Sequence, residues 1–452
     1  MKKENASTKS VQEFRAAVAA SLGASPELLL NLIDVLATGP RPGSPVELAL
    51  NPLFAYDWSS LYQALRRAEA QLAPTIEEDD WLRRLRAARL GWLQAQPPAE
   101  RREELGPWRV RILDASNYDR PKTRTVEVGY VHGADGMQPG HGLSLLSERV
   151  GPGSWTLPLE IACFSPRSDP LSFGAAQLEQ FVQQHGWMPE QVLAVDAQYT
   201  VATFLQPVHE LGIPILGRVR NNRCFYLPPP AYSGFGRPPV RGRKFKLNDA
   251  RTLPPCAAQD EWPLAGGGRS VVSRWDDVRM RQWPTQRLLL YRVIEYKADG
   301  QRRYPRPLWL IFVPGAAQTE VPTPRQAAAL YDERFSIEHS LRFLKGELGA
   351  TGGQFNGPGA SGRVQVWVEL AATALWLLWA LRDLAQAHTE QLPGWWRSRK
   401  LTPGAVRRMA AGLLLSFGWR KPQPKPRGKS PGRASGTKLE PRRRFKVYRK
   451  AA

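Results

Sequence analysis

Residues 191–219 read QVLAVDAQYTVATFLQPVHELGIPILGRV. The run from Gln191 to Asp196 is apolar, too short for a helix, and closed by a carboxylate, as a buried strand would be. Val201 to Leu211 then reads as a helix, and Ile213 to Val219 returns to strand character. A strand, a short helix and a second strand suit a sheet with helices on its faces, so this stretch predicts an α/β fold.

The pattern extends towards the N-terminus. Arg109-Val-Arg-Ile-Leu-Asp114 alternates and then turns apolar, like a strand entering a core, and it too ends on an aspartate. Thr125 to Val131 alternates strictly, Leu157 to Phe164 gives another strand, and Gly174 to His185 reads as a helix with Leu178, Phe181 and Val182 on one side. The order β-β-β-α-β-α-β over residues 105–220 predicts a mixed sheet flanked by helices. Gly129, Gly133, Gly140 and Gly142 read as turns, and His132, His141 and His185 beside such glycines as loop residues without metal-ligand spacing.

Residues 221–322 interrupt this rhythm. Pro228 to Pro230 and Gly234 to Gly242 are loop chemistry carrying Arg237, Arg241, Arg243, Lys244 and Lys246, while Arg287 to Tyr296 and Pro307 to Val313 look like strands. The segment is expected to be a β-rich insertion, with the core resuming over 323–395. There a helix is predicted from Pro324 towards Leu348, followed by the glycine breaks at Gly352-Gly353 and Gly357-Pro358-Gly359. Residues 364–381, with Trp367, Trp376 and Trp379, approach the length of a membrane span, yet Gln365 and Glu369 interrupt them. A buried core helix is the expectation.

Residues 1–100 read as an all-helical domain. Ser25-Pro26-Glu27 has an N-cap followed by Pro at the first helical position, Ser60 to Leu72 is amphipathic, and Thr75 with Glu78 forms a capping box. Pro97-Pro98 marks the linker that follows.

A chain of 452 residues suggests two to four domains, and 42% hydrophobic with 23% charged side chains excludes wholesale disorder. Three cysteines (Cys163, Cys224, Cys256) cannot build a disulfide framework or a paired-thiolate zinc site. With no apolar run behind Met1-Lys-Lys, the chain is expected in a reducing cytoplasm. The net charge is +22, and residues 397–452 alone carry 18 basic side chains against Glu440. Residues 396–452 are therefore expected to form a basic C-terminal region whose tail is disordered until it meets a polyanion, nucleic acid rather than membrane. Residues 1–100 are near neutral overall but keep a local basic stripe, Arg83, Arg84, Arg86 and Arg89, as a further point of DNA contact.

Asp114 ends the first predicted strand and Asp196 the fourth; in a mixed sheet both ends can emerge at one edge, which makes the pair candidates to share a hard divalent cation such as Mg²⁺, whereas each taken alone reads rather as a cap or turn residue. On the predicted helix, Tyr331, Arg334, Glu338 and Lys345 fall within about 60° of one another at ~100° per residue, with Arg342 alongside and Leu330, Ile337, Leu341 and Leu344 on the adjacent face. A carboxylate framed by cations and a phenol is what a metal site beside a phosphodiester needs.

Tyr331-x2-Arg334-x3-Glu338-x6-Lys345 resembles, without a gap, the YREK signature of DDE-type insertion-sequence transposases of the cut-and-paste group. The resemblance covers roughly residues 105–385 and implies a ribonuclease-H-like catalytic core. It implies that Asp114, Asp196 and Glu338 are catalytic and hold two Mg²⁺ ions, with Mn²⁺ as a substitute. Tyr331, Arg334, Arg342 and Lys345 would bind transposon-end phosphates, with Arg241, Arg243, Lys244 and Lys246 of the insertion as further DNA-binding residues. The implied partners are double-stranded DNA, as terminal inverted repeats and target, and a second copy in a synaptic homodimer on the prokaryotic nucleoid, with no membrane role. Cleavage in this group often passes through a hairpin, with an insertion tryptophan stacking on a displaced base. Trp262, Trp275, Trp283 and Trp309 are the candidates. A ribonuclease-H-like nuclease or resolvase, or a catalytically silent transposase-derived DNA-binding protein, are the alternatives.

Overall fold

The computed structural model describes residues 2–72, 81–97, 101–121, 123, 128–133, 135–316, 320–356, 359–390, 401–418, 425 and 436. In chain order, α1 (Lys2–Ser21), α2 (Pro26–Thr38), α3 (Pro45–Ala49), α4 (Trp58–Glu69) and α5 (Trp81–Ala95) precede β1 (Arg109–Asp119), β2 (Gly129–Gly133), β3 (Gly136–Arg149) and β4 (Thr156–Phe164). Then come α6 (Pro170–His185), β5 (Gln191–Val195), α7 (Ala202–Glu210), β6 (Ile215–Val219), β7 (Cys224–Tyr226), β8 (Lys244–Lys246), β9 (Ala258–Pro263), β10 (Arg269–Val278), β11 (Leu288–Tyr296) and β12 (Leu308–Val313). The chain continues through α8 (Pro324–Glu333), α9 (Ser336–Gly346), α10 (Ala360–Ala380), α11 (Arg382–Glu390) and α12 (Pro403–Ser416).

Two compact units emerge, both discontinuous. The first gathers Met1–Glu100, Ala115–Ser168 and Ser336–Ala452, and the second Arg101–Asp114 and Asp169–Phe335. The second unit is built on a mixed sheet ordered β1-β5-β6-β12-β11-β10-β9. β1, β5 and β6 run parallel, in register at Leu113↔Val195 and Val195↔Gly217. The α6 and α7 crossovers cover β5, whose residues Val192 to Val195 are wholly buried. β12 pairs antiparallel with β6, and β11, β10 and β9 follow as an antiparallel meander, so the strands expected of the insertion prolong the same sheet. Gly217 is required by close approach: a Cβ there would stand 2.3 Å from Thr200 Cγ2 and 2.8 Å from Val195 Cγ2.

In the first unit, β4 pairs with β3 and β3 with β2, all antiparallel. α10 is buried along nearly its whole length, as expected of a core helix, and packs on β4, α2 and α4. Among the described residues no single helix is long and apolar enough to cross a membrane.

Several expectations change. β1 runs on to Asp119, so Asp114 ends the stretch paired with β5 but not the strand. β3 is an additional strand: Gly140 and Gly142 are strand residues, glycine because Tyr118 O and the Phe164 ring occupy the space a Cβ would need. His141 is therefore a buried strand residue, not a loop one, whereas His132 lies in β2 and His185 in the last turn of α6. Ser25 adopts a left-handed conformation (φ 64°) and gives α2 no side-chain cap. Part of the Thr125–Val131 run, the Thr75–Glu78 capping box and most of the basic tail lie outside the described residues. The stripe on α5 is not a DNA surface at Arg86 and Arg89, because both turn inward to a buried carboxylate, Glu369 on α10.

His141 accepts a hydrogen bond from Arg120 Nη1 at 3.1 Å through Nε2, which requires a neutral ring. Burial, and then the Arg120 charge, lower its pKa to about 4. Burial raises buried Asp34 to about 6 against the opposing pull of Arg15. His141 therefore contributes stability that is complete above its ordinary value of 6.5 and lost as pH falls towards 4. Asp34 contributes stability that is lost as pH rises from 3.8 through 6, so the two oppose each other in one window. Compared with the wild type in urea titrations across this window, His141→Gln is expected to gain less stability as pH rises. Asp34→Asn is expected to gain more, by up to about 3 kcal/mol. Equal slopes in all three proteins would contradict both assignments.

Candidate active site

The second unit brings two aspartates to the same edge of its sheet. Because Leu113 and Val195 are register partners on parallel strands, Asp114 and Asp196 leave β1 and β5 at the same level, on strands spaced about 4.8 Å apart. The chain turns at once after Asp196: Tyr199 N donates to Asp196 O at 3.1 Å, and Thr200 Oγ1 donates to Ala197 O at 3.0 Å and Arg218 O at 2.8 Å. The turn is thereby tied to β6.

α8 supplies the next components. Thr323 and Gln326 form a reciprocal capping box with Pro324 at the first helical position, which fixes where α8 starts. At its other end Arg334 Nη1 lies 3.9 Å from Asp114 Oδ2, an ion pair rather than a hydrogen bond. The Arg334 guanidinium also rests over the rings of Tyr331 (5.5 Å) and Phe335 (4.7 Å). Tyr331 is buried, and burial pushes its pKa up to about 12, with Arg334 opposing and Asp196 adding to the rise. Burial likewise raises Tyr199, with both Asp114 and Asp196 adding to the rise. Two neutral phenols and a guanidinium thus frame two carboxylates.

The predicted single helix over 324–348 is two helices. Arg334 N bonds to Tyr331 O and Phe335 N to Asp332 O, a tight turn that ends α8. α9 starts where Thr156 Oγ1 bonds to Ser336 Oγ at 2.6 Å, and Ser340 Oγ donates to Thr156 O at 2.9 Å. The four signature residues therefore do not share one helical stripe: Tyr331 and Arg334 belong to the second unit, and Glu338 and Lys345, like Arg342, to the first. Glu338 is exposed in the first turn of α9. Lys345 Nζ donates to Ser116 Oγ at 2.6 Å and to Asn117 O, two and three residues beyond Asp114, and burial lowers its pKa with Asp119 opposing. Arg342 lines a separate cavity of about 740 Å³ with His339, Phe343 and Arg407.

Among the described residues no three or more His, Cys, Asp or Glu side chains are placed together to hold a metal ion. The pair Asp114 and Asp196 is nevertheless an all-oxygen donor set, the type that suits a hard divalent cation. Arg241, Arg243, Lys244 and Lys246 lie on the β7–β8 hairpin, with Arg241 over the Tyr226 ring at 5.2 Å, Lys244 and Lys246 exposed, and Phe245 buried between them. None of the four lines the groove that opens at Asp196. Of the insertion tryptophans, Trp275 and Trp309 are buried against each other and cannot receive a base. Trp262 is half-buried beneath Arg325 and Trp283 half-buried against His209. Sequence reading missed Tyr199 and Arg218; the signals were the phenol three residues after Asp196 and the cation next to Gly217.

A family model described as DDE superfamily endonuclease matches residues 18–282. The matched span takes in Asp114 and Asp196 and ends before Tyr331. No curated protein matches the chain. Among solved structures, a piggyBac transposase synaptic complex with hairpin DNA, seen by cryo-EM, is similar at 10% identity and a TM-score of 0.39, with 90% of this chain and 78% of that chain covered.

Proposed function

Because the chain belongs to the DDE superfamily endonucleases, whose family model matches more than half of it, we propose that it is a DNA transposase. It cleaves transposon ends and joins them to target DNA by phosphodiester hydrolysis and transesterification. The observation that carries this reading is the register that sets Asp114 beside Asp196, with Arg334 against Asp114.

Asp114 and Asp196 would hold divalent ions, Mg²⁺ with Mn²⁺ as a substitute, and Glu338 is proposed as the third carboxylate on its place in the signature. The chemistry such ions supply is activation of the attacking oxygen and neutralisation of the leaving one. The chain's own residues do the rest. Arg334, fixed between Asp114 and two rings, presents a guanidinium to a phosphate oxygen. Tyr331, kept neutral, can donate a hydrogen bond there without adding negative charge. Arg342, Lys345 and the basic residues of the β7–β8 hairpin are proposed to hold the flanking DNA backbone, in a synaptic homodimer. A hairpin intermediate, if formed, needs a stacking partner other than Trp275 or Trp309, since both are core residues.

The test is a reaction of the purified protein with DNA carrying the element's ends and a target plasmid in Mg²⁺. Joined product bounded by a short target duplication is expected. Cut ends that never become joined would replace this reading with a simple nuclease.

A further inference from the structure

From Asp196 a groove of about 1260 Å³ runs across β6 towards the loop between β11 and β12, entirely within the second unit. Arg218, Arg220, Arg302 and Arg306 line it, all exposed, and none has a carboxylate partner among the described residues. The carboxylates on its wall are Asp196 and Glu295, and Glu295 is already paired with Arg303 at 3.4 Å. Arg292 adds a fifth guanidinium, held over Trp275 (5.3 Å) and Trp309 (6.0 Å), with an Nε that finds no hydrogen-bond partner among the described residues. So many uncompensated cations along one trough call for a polyanion.

The loop itself reads Arg302-Arg-Tyr-Pro-Arg-Pro307. It is a built structure: Lys297 N bonds to Gln301 O at 2.8 Å, Gln301 N to Asp299 Oδ1 at 2.9 Å, and Arg303 N to Glu295 O at 2.7 Å. Pro305 and Pro307 fix the backbone on either side of Arg306. Tyr304 is thus held at the groove with 59% of its surface exposed, between two unpaired arginines. An exposed ring on a phosphate track is useful to a base with a free face, and bases within a duplex have none. Asn221, Asn222 and Asn248 line the same trough and offer amide donors and acceptors to unpaired base edges.

We propose that this groove binds an unpaired stretch of DNA strand, without strong sequence preference, with a base stacked on Tyr304 and phosphates on Arg218, Arg220, Arg302 and Arg306. Its meaning for cleavage rests on the transposase reading, since the strand would lead to Asp196; its binding does not. The experiment is fluorescence anisotropy of the full-length protein with a labelled oligothymidine of about 12 nucleotides and with a duplex of equal length, in EDTA. Tyr304→Ala is expected to weaken oligothymidine binding roughly tenfold, with Tyr304→Phe restoring it, and to change duplex binding by less than about twofold. Arg302→Ala with Arg306→Ala is expected to lower the salt slope for the single strand by about 1.4, at ~0.7 per phosphate contact. Equal losses on both DNAs, or none on the oligothymidine, would overturn the proposal. Because no metal is present, oligothymidine binding that is unchanged in these variants counts against the groove alone, and failed cleavage by the wild type with strand binding intact counts against the catalytic reading alone.

Discussion

Asp196→Asn is expected to cut cognate ends at least about a thousandfold more slowly than the wild type, some 4 kcal/mol in the barrier. Asp196 directly follows Val195, the partner of Leu113, so its carboxylate and that of Asp114 leave a rigid, fully buried pair of parallel strands together. An amide is nearly the same shape, so the strand ends stay in place and the loss falls on charge alone. One negative charge fewer weakens any divalent ion shared with Asp114 and removes an anionic ligand at the developing phosphoryl centre. The phenols of Tyr199 and Tyr331 cannot replace it, since burial keeps both protonated. Binding should behave in the opposite way: removing a carboxylate beside a phosphodiester lowers repulsion, so end DNA is held as tightly or more tightly. Asp114→Asn and Glu338→Gln are expected to follow the same pattern. Single-turnover cleavage in Mg²⁺, gel-shift binding in Ca²⁺ and calorimetric titration of the ion separate these effects. A variant that still cuts near the wild-type rate would remove its residue from the site, and cleavage by Glu338→Gln alone would leave a two-carboxylate centre.

What could be read from the residues followed from where local pattern and tertiary structure agree. The β5-α7-β6 stretch was legible because a fully buried parallel strand is a continuous apolar run and an amphipathic crossover helix has its own period. β3 was not, because its glycines answer to distant partners: Gly142 makes room for the Phe164 ring, and that ring is invisible at residue 142. The break between α8 and α9 was equally hidden. Both halves keep a helical period, and what turns the chain is Thr156, far back in the sequence, bonding Ser336 and Ser340. The signature Tyr331, Arg334, Glu338 and Lys345 survives as a spacing while its members stand on two helices and the turn between them. The groove at Asp196 had a local sign, an aromatic set between arginines and prolines at 302–307, but which way that loop faces is decided by the β11–β12 pairing.

The misread arginines of α5 lead to the largest expected loss of stability. Arg86 and Arg89 look like a DNA-facing stripe in sequence because the carboxylate they serve, Glu369, is some 280 residues away. Glu369 is wholly buried. It accepts from Arg89 Nη2 at 2.5 Å and Arg86 Nη2 at 3.1 Å, and Arg86 also pairs with Glu160 at 3.4 Å. Arg89 further donates to Thr373 Oγ1 at 2.9 Å and to Leu159 O at 3.1 Å, tying α5, α10 and β4 together. Burial alone would push the Glu369 carboxyl up, but the two guanidiniums outweigh it and hold it below its ordinary value. Glu369→Ala would leave buried Arg89 and part-buried Arg86 facing one remaining carboxylate, Glu160, and would cost about 3–5 kcal/mol, the range for breaking a buried pair from one side. Removing the Arg89 cation as well should cost less than that single change, because Arg86 then still balances Glu160 and no charge is stranded: Arg89→Met with Glu369→Leu is expected to recover part of the loss. Urea unfolding followed by tryptophan fluorescence, with Trp376 packed 5.6 Å from the Arg89 guanidinium as an internal reporter, measures both proteins. A double variant no more stable than Glu369→Ala would mean that the network contributes through packing and geometry, and that stranded charge is not what the single substitution exposes.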